Sequence, residues 1–124
     1  MKPSILHLTD QELQKLACLE FSQSYAASIR IKADDHRIYT FAASQYIDGV
    51  IEANPGEGSL PPERLVLRFT TGEVTALGSG LDRIEDRLAE GHLRGLKTVE
   101  PRYASAIKSG PIIVSLTVSR KNEA

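Results

Sequence analysis

Three histidines, one cysteine and a glycine-flanked serine are the side chains here with the most chemistry open to them, and spacing decides what each can do. His7, His36 and His92 have no second His, Cys or carboxylate at the spacing of a recognised metal motif, so no metal site is expected. Asp34 and His36 flank an expected turn and can converge on one ion. Asp34 and Asp35 read better as turn formers, with His36 a solvated neighbour. Nothing near Cys18 lowers its pKa, so it reads as a small buried hydrophobe rather than a nucleophile. As the single cysteine it has no intramolecular disulfide partner, which suits a reducing, cytoplasmic setting.

The strand-to-helix junction Gly78-Ser79-Gly80 is the candidate anion site, because free amides at a helix start can cradle a phosphate or carboxylate. Against it, Ser79 can act as N-cap with Asp82 at N3, and no P-loop lysine or dinucleotide pattern follows. Asp82, Glu85, Asp86 and Glu90 look like an acidic catalytic cluster. Arg83, Arg87 and Arg94 are interspersed among them, with Glu90 and Arg94 at i, i+4 spacing, and a solvated helix face is the better reading. No catalytic residue and no cofactor are assigned. Arg64, Arg68, Arg94, Lys97, Arg102, Lys108, Arg120 and Lys121 can form a basic stripe, but Tyr103 is the sole aromatic among them, and nucleic-acid binding is therefore not favoured.

The elements that must position these groups are marked unevenly along the chain. Thr9 as N-cap with Glu12 at N3, and Leu8 packing on Leu13, predict an N-terminal helix that ends near residues 20–23. Alternation predicts strands at 26–33 and 36–42, paired as a hairpin, and at 45–53. Residues 35–53 have a helical alternative, since Ile38, Phe41, Ala42, Tyr46 and Val50 also lie near one helical face. Residues 54–62 hold three prolines and two glycines and read as a loop. Strands 64–70 and 73–78 form a hairpin in which Gly72 supplies a positive φ. A helix over about 80–91 carries Leu81, Ile84 and Leu88 on one face, and Gly91 and Gly95 fray its end. In the last strand, 111–120, Ile112, Val114, Leu116 and Val118 form the apolar face, opposite Ile113, Ser115, Thr117 and Ser119. Residues 121–124 read as a frayed tail.

At 124 residues, 41% hydrophobic and 25% charged, the chain suits one soluble globular domain spanning 1–124 and argues against collagen-like or disordered classes. No apolar run reaches membrane-span length, and the opening residues are too short for a signal-peptide core. The formal charge of −1 gives no overall bias toward a polyanion. The expected fold is α+β: a mainly antiparallel sheet of about five or six strands with the N-terminal helix and the 80–91 helix packed on it. The expected function is a non-catalytic module that self-associates, a dimer being favoured, with the edge of the last strand and Ile113 as the template. The alternative is a small-molecule or anion binder at Gly78-Ser79-Gly80; weak nucleic-acid binding through the basic second half is third.

Overall fold

A computed structural model describes residues 18–22, 24–53, 62–99 and 111–120. Eight strands run through them: β1 (Leu19–Phe21), β2 (Ser28–Lys32), β3 (Ile38–Ala42), β4 (Tyr46–Ala53), β5 (Glu63–Phe69), β6 (Gly72–Ser79), β7 (Leu93–Leu96) and β8 (Ile112–Arg120). One helix, α1 (Asp82–Ala89), lies between β6 and β7. The strands make two sheets of four, in the orders β1-β7-β2-β3 and β4-β5-β6-β8.

This corrects the expected single sheet of five or six strands in an α+β fold: the described residues are mostly β. The chain changes sheets at a 3-10 turn, Ala43–Gln45, between β3 and β4, a corner that alternation cannot reveal because residues on both sides of it alternate. Backbone bonds hold the corner, from the Ala43 amide to the Ala27 carbonyl (2.9 Å) and from the Thr70 amide to the Gln45 carbonyl (2.9 Å). The helical alternative for 35–53 is not adopted. The capping residues Thr9 and Glu12 lie outside the described residues, but Leu19–Phe21, which the N-terminal helix was expected to enter, is strand β1.

Pairing explains the two missed strands. β7 (Leu-Arg-Gly-Leu) has no alternation of its own and is held by neighbours on both sides, antiparallel to β1 and parallel to β2. Its expected origin as a frayed helix end is also corrected. Gly91, at φ +78°, closes α1 with bonds from its amide to the Leu88 carbonyl (3.0 Å) and from the His92 amide to the Arg87 carbonyl (2.9 Å), the two bonds of a Schellman cap. Arg94 therefore sits in a strand, and Glu90 and Arg94 are not a helical pair.

Three β-bulges set which side chains face the core. One extra residue stands in each of β4, β7 and β8: Ile47 between the Tyr46–Phe69 and Asp48–Arg68 pairs, Arg94 between the Leu93–Phe21 and Gly95–Glu20 pairs, and Val114 between the Ile113–Gly78 and Ser115–Leu77 pairs. A bulge reverses the phase of alternation, so all three extra residues are exposed while Ile113 and Leu116 are both fully buried. The expected apolar face of the last strand is thus broken at Val114, and Ile113 belongs to the core.

That core is built from both sheets and α1. Ile29, Ile31 and Phe41 come from one sheet; Leu65, Leu67, Phe69, Val74, Ala76, Ile113 and Leu116 come from the other; Leu81, Ile84 and Leu88 close it. Phe41 stacks on Phe69 with ring centroids 4.6 Å apart, and Tyr46 tilts onto Phe69 at 5.6 Å. Aromatic contacts of this kind add about 0.5–1.5 kcal/mol to the burial itself. Arg120, at the end of β8, crosses back over the rings of Tyr39 and Phe41.

The β2–β3 hairpin turns through Ala33–Arg37, with His36 at φ +67° and its amide bonded to the Ala33 carbonyl. At the β5–β6 hairpin, Gly72 does not take the expected positive φ. A Cβ there would instead meet the Ser119 carbonyl at 2.6 Å, so the close approach of β8 calls for glycine.

Candidate functional site: a basic cavity on the first sheet

The period-2 pattern of β2 turns Ile29 and Ile31 inward and Ser28, Arg30 and Lys32 outward. The parallel register places Arg30 beside Gly95 of β7, and the antiparallel register places Glu20 of β1 on the other side of Gly95. Glycine leaves that position bare. The bulge adds Arg94 next to it, and the Lys97 amide continues the β1–β7 pairing by donating to the Cys18 carbonyl (2.8 Å).

The result is a cavity of about 150 Å³ on the outer face, whose charged lining among the described residues is Arg30, Lys32, Arg94, Lys97 and Glu20, around Gly95. Among the described lining residues four are cationic and one, Glu20, is acidic, and Lys97 is itself engaged in an interaction. The side chains of Arg30, Lys32 and Arg94 have no hydrogen-bond or ion-pair partner among the described residues. Sequence reasoning missed this grouping because Arg30 and Arg94 are 64 positions apart and meet only through the parallel β2–β7 register.

Cys18 is fully buried, and its thiol donates to the Pro111 carbonyl (3.2 Å). Burial pushes its pKa up to about 12, so it stays a protonated thiol at neutral pH. That agrees with its reading as a small hydrophobe.

The Gly78-Ser79-Gly80 junction lies elsewhere. Ser79 ends β6, and the N-cap of α1 is Leu81, with no side-chain cap. The Leu81 amide donates to Glu63 Oε1 (3.1 Å), and Asp82 and Glu85 stand in the first turn, so carboxylates of the chain itself occupy the positive end of the helix. The two glycines have structural work. A Cβ on Gly78 would come within 1.8 Å of the Ile112 carbonyl, and Gly80 has φ +64°.

The other candidates are scattered. Arg64 binds Glu52 (2.6 Å) and Arg68 binds Asp48, both pairs on the outer face of the second sheet; Arg120 lies over aromatic rings; Arg94 and Lys97 line the cavity. Arg102, Tyr103, Lys108 and Lys121 lie outside the described residues, as does His7. His36 is exposed in its turn and His92 is half-buried after α1. Among the described residues no three His, Cys, Asp or Glu side chains are grouped to hold a metal ion.

Asp34 proved to be a structural clip. Its Oδ2 accepts bonds from Ser115 Oγ (2.8 Å) and the Leu116 amide (3.1 Å), while its own amide donates to the Leu116 carbonyl (2.8 Å). The Val99 amide likewise donates to the Ile113 carbonyl (2.8 Å), so the outer edge of β8 is engaged at two points.

Set against models of known protein families, curated proteins and solved structures, the chain matches none. No helix among the described residues is long and apolar enough to cross a membrane.

Proposed function

We propose that this protein is a non-catalytic interaction module that forms a homodimer through the edge of β4. The observation that carries this reading is that β4, eight residues long, has β5 as its single strand neighbour among the described residues and exposes Ile47 (53%), Val50 (47%) and Ile51 (38%). A long edge strand with apolar side chains is a template for pairing with another strand. β8, the edge expected to serve, is partly occupied by Asp34 and Val99, and Ile113 is buried.

A second copy is the occupant this edge suits. Antiparallel pairing about a two-fold axis at Val50 sets Val50 against itself and Asp48 opposite Glu52 of the partner copy. Those carboxylates are already compensated by Arg68 and Arg64 of their own β5, so the axis gathers no unpaired like charge. A cytoplasmic setting belongs to the same proposal, and the single, free cysteine is in keeping with it.

Size-exclusion chromatography with light scattering tests the reading. The chain is expected to run as a dimer at tens of micromolar, and Ile47→Lys with Val50→Lys to run as a monomer with its fold retained. A strictly monomeric parent, or a dimer unaffected by the two lysines, overturns it.

A further inference from the structure

We propose that the basic cavity over Gly95 binds the phosphate group of a small ligand, either inorganic phosphate or a phosphomonoester. Folding draws Arg30 and Lys32 of β2, Arg94 of β7 and Lys97, which follows β7, to one concave spot, where Glu20 is the one carboxylate among the described lining residues. Like charges assembled this way repel one another, and an anion relieves that repulsion. The contrast with the second sheet sharpens the point, since the outward arginines there, Arg64 and Arg68, each hold a carboxylate of the neighbouring strand. Arg30, Lys32 and Arg94 hold none among the described residues, although Glu20 is near enough to share the cavity.

The charge excess and the shape select the ligand. A phosphate carries nearly two negative charges and three acceptor oxygens, so it can take charge-assisted bonds from cations on both strands at once. A single carboxylate, with one charge and two oxygens in a plane, satisfies one guanidinium and leaves the others unpaired. Gly95 supplies the room: a Cβ at that position would stand 3.1 Å from the Arg30 carbonyl and project into the space between Arg30 and Glu20. Among the described lining residues none is aromatic, so these offer a base no ring to stack on, which favours a small phosphate over a nucleic-acid strand.

Calorimetric titration of the full chain at low ionic strength, with inorganic phosphate and separately with glycerol phosphate, provides the test. Saturable binding of either, with a rise in thermal midpoint, is expected; which one binds tighter tells whether the esterified group is the better ligand. Arg30→Gln with Arg94→Gln should weaken binding at least about tenfold by removing two charge-assisted bonds, while Arg83→Gln on α1 leaves it unchanged. Without phosphate the double variant should melt no lower than the parent, because it has lost repulsion and no side-chain pairing found among the described residues, and this separates a binding defect from a folding one. Failure to saturate below about 10 mM, a double variant that binds as the parent does, or tighter binding of succinate than of phosphate would each overturn the proposal. So would binding of an oligonucleotide below about 1 μM at roughly 0.15 M salt that depends on Arg30 and Arg94, since the surface would then serve a polyanion strand.

Discussion

The two sheets of this protein solve opposite problems with similar residues. The sheet β4-β5-β6-β8 has strands of seven to nine residues, all antiparallel, and its outward arginines are matched to carboxylates one strand away. The sheet β1-β7-β2-β3 has strands of three to five residues with one parallel pairing, and its outward cations converge on a bare glycine. Long antiparallel ladders with paired charges are a stable platform. The short strands carry outward side chains, Arg30, Lys32 and Arg94, that hold no carboxylate among the described residues, and it is there that an anion is proposed to bind. The two sheets thus differ in strand length and in how their outward charge is matched, and substitutions can probe that difference.

The largest effect should come from the contact that joins them. Phe69 of the second sheet stacks on Phe41 of the first and touches Tyr46, and it is 1% exposed. Phe69→Ala is expected to cost about 3–5 kcal/mol in chemical denaturation, the usual range for emptying an aromatic site in a core. Both sheets should lose protection in hydrogen exchange together. If the second sheet keeps its protection while the first opens, the two are less coupled than the shared core implies.

Asp34 tests the same junction from the polar side. It ties the β2–β3 turn to the edge of β8 by three hydrogen bonds, two of them to its carboxylate. Asp34→Ala removes the carboxylate bonds and leaves the part-buried Leu116 amide without that acceptor, so a loss of about 1–3 kcal/mol is expected. The effect should appear in exchange of the β2–β3 hairpin and of β8 near Leu116, and hardly at β4. A uniform loss over the whole molecule would mean that the clip stabilises the fold globally rather than this one seam.

How much of this was legible in the sequence depends on the range of the interaction concerned. The β2–β3 hairpin, the β5–β6 hairpin and α1 follow from alternation, turn residues and the 3.6-residue period, all of which act over a few positions. Ile47, Arg94 and Val114 were not legible as bulges, because a bulge is defined by two residues facing one on another strand, and only the pairing reveals it. The consequence was concrete: Ile113 was expected outside and is in the core. Leu93 and Leu96 were visible as apolar but not as a strand, since β7 takes its conformation from β1 and β2. The cavity was least legible, being made of residues from three strands that local rules treat separately. The Gly78-Ser79-Gly80 junction was conspicuous because glycines are, yet at two of its positions the fold itself accounts for the glycine.

The smallest expected effect concerns the paired charges that set the second sheet apart. The Arg68 guanidinium donates to Asp48 and holds its carboxyl below the ordinary range, while burial, followed by the charges of Glu85 and Asp48, raises the Tyr46 hydroxyl. The sign for Asp48 follows from linkage: its folded pKa is depressed, so the stabilisation is present above the unfolded value, near 3.9, and is lost as pH falls through the folded one. Both partners are exposed to solvent and salt, so the effect on stability at neutral pH should stay at the small end for surface pairs. The titration itself is the sharper readout. Carboxyl NMR should place Asp48 below the usual aspartate range in the parent, and Arg68→Gln should return it toward that range with little change in thermal midpoint. On the first sheet the corresponding substitution, Arg30→Gln, removes no ion pair found among the described residues, so the acid limb of stability should be unmoved by it. If Arg30→Gln shifts the acid limb as much as Arg68→Gln does, the first sheet is internally paired after all, and the contrast between the sheets fails.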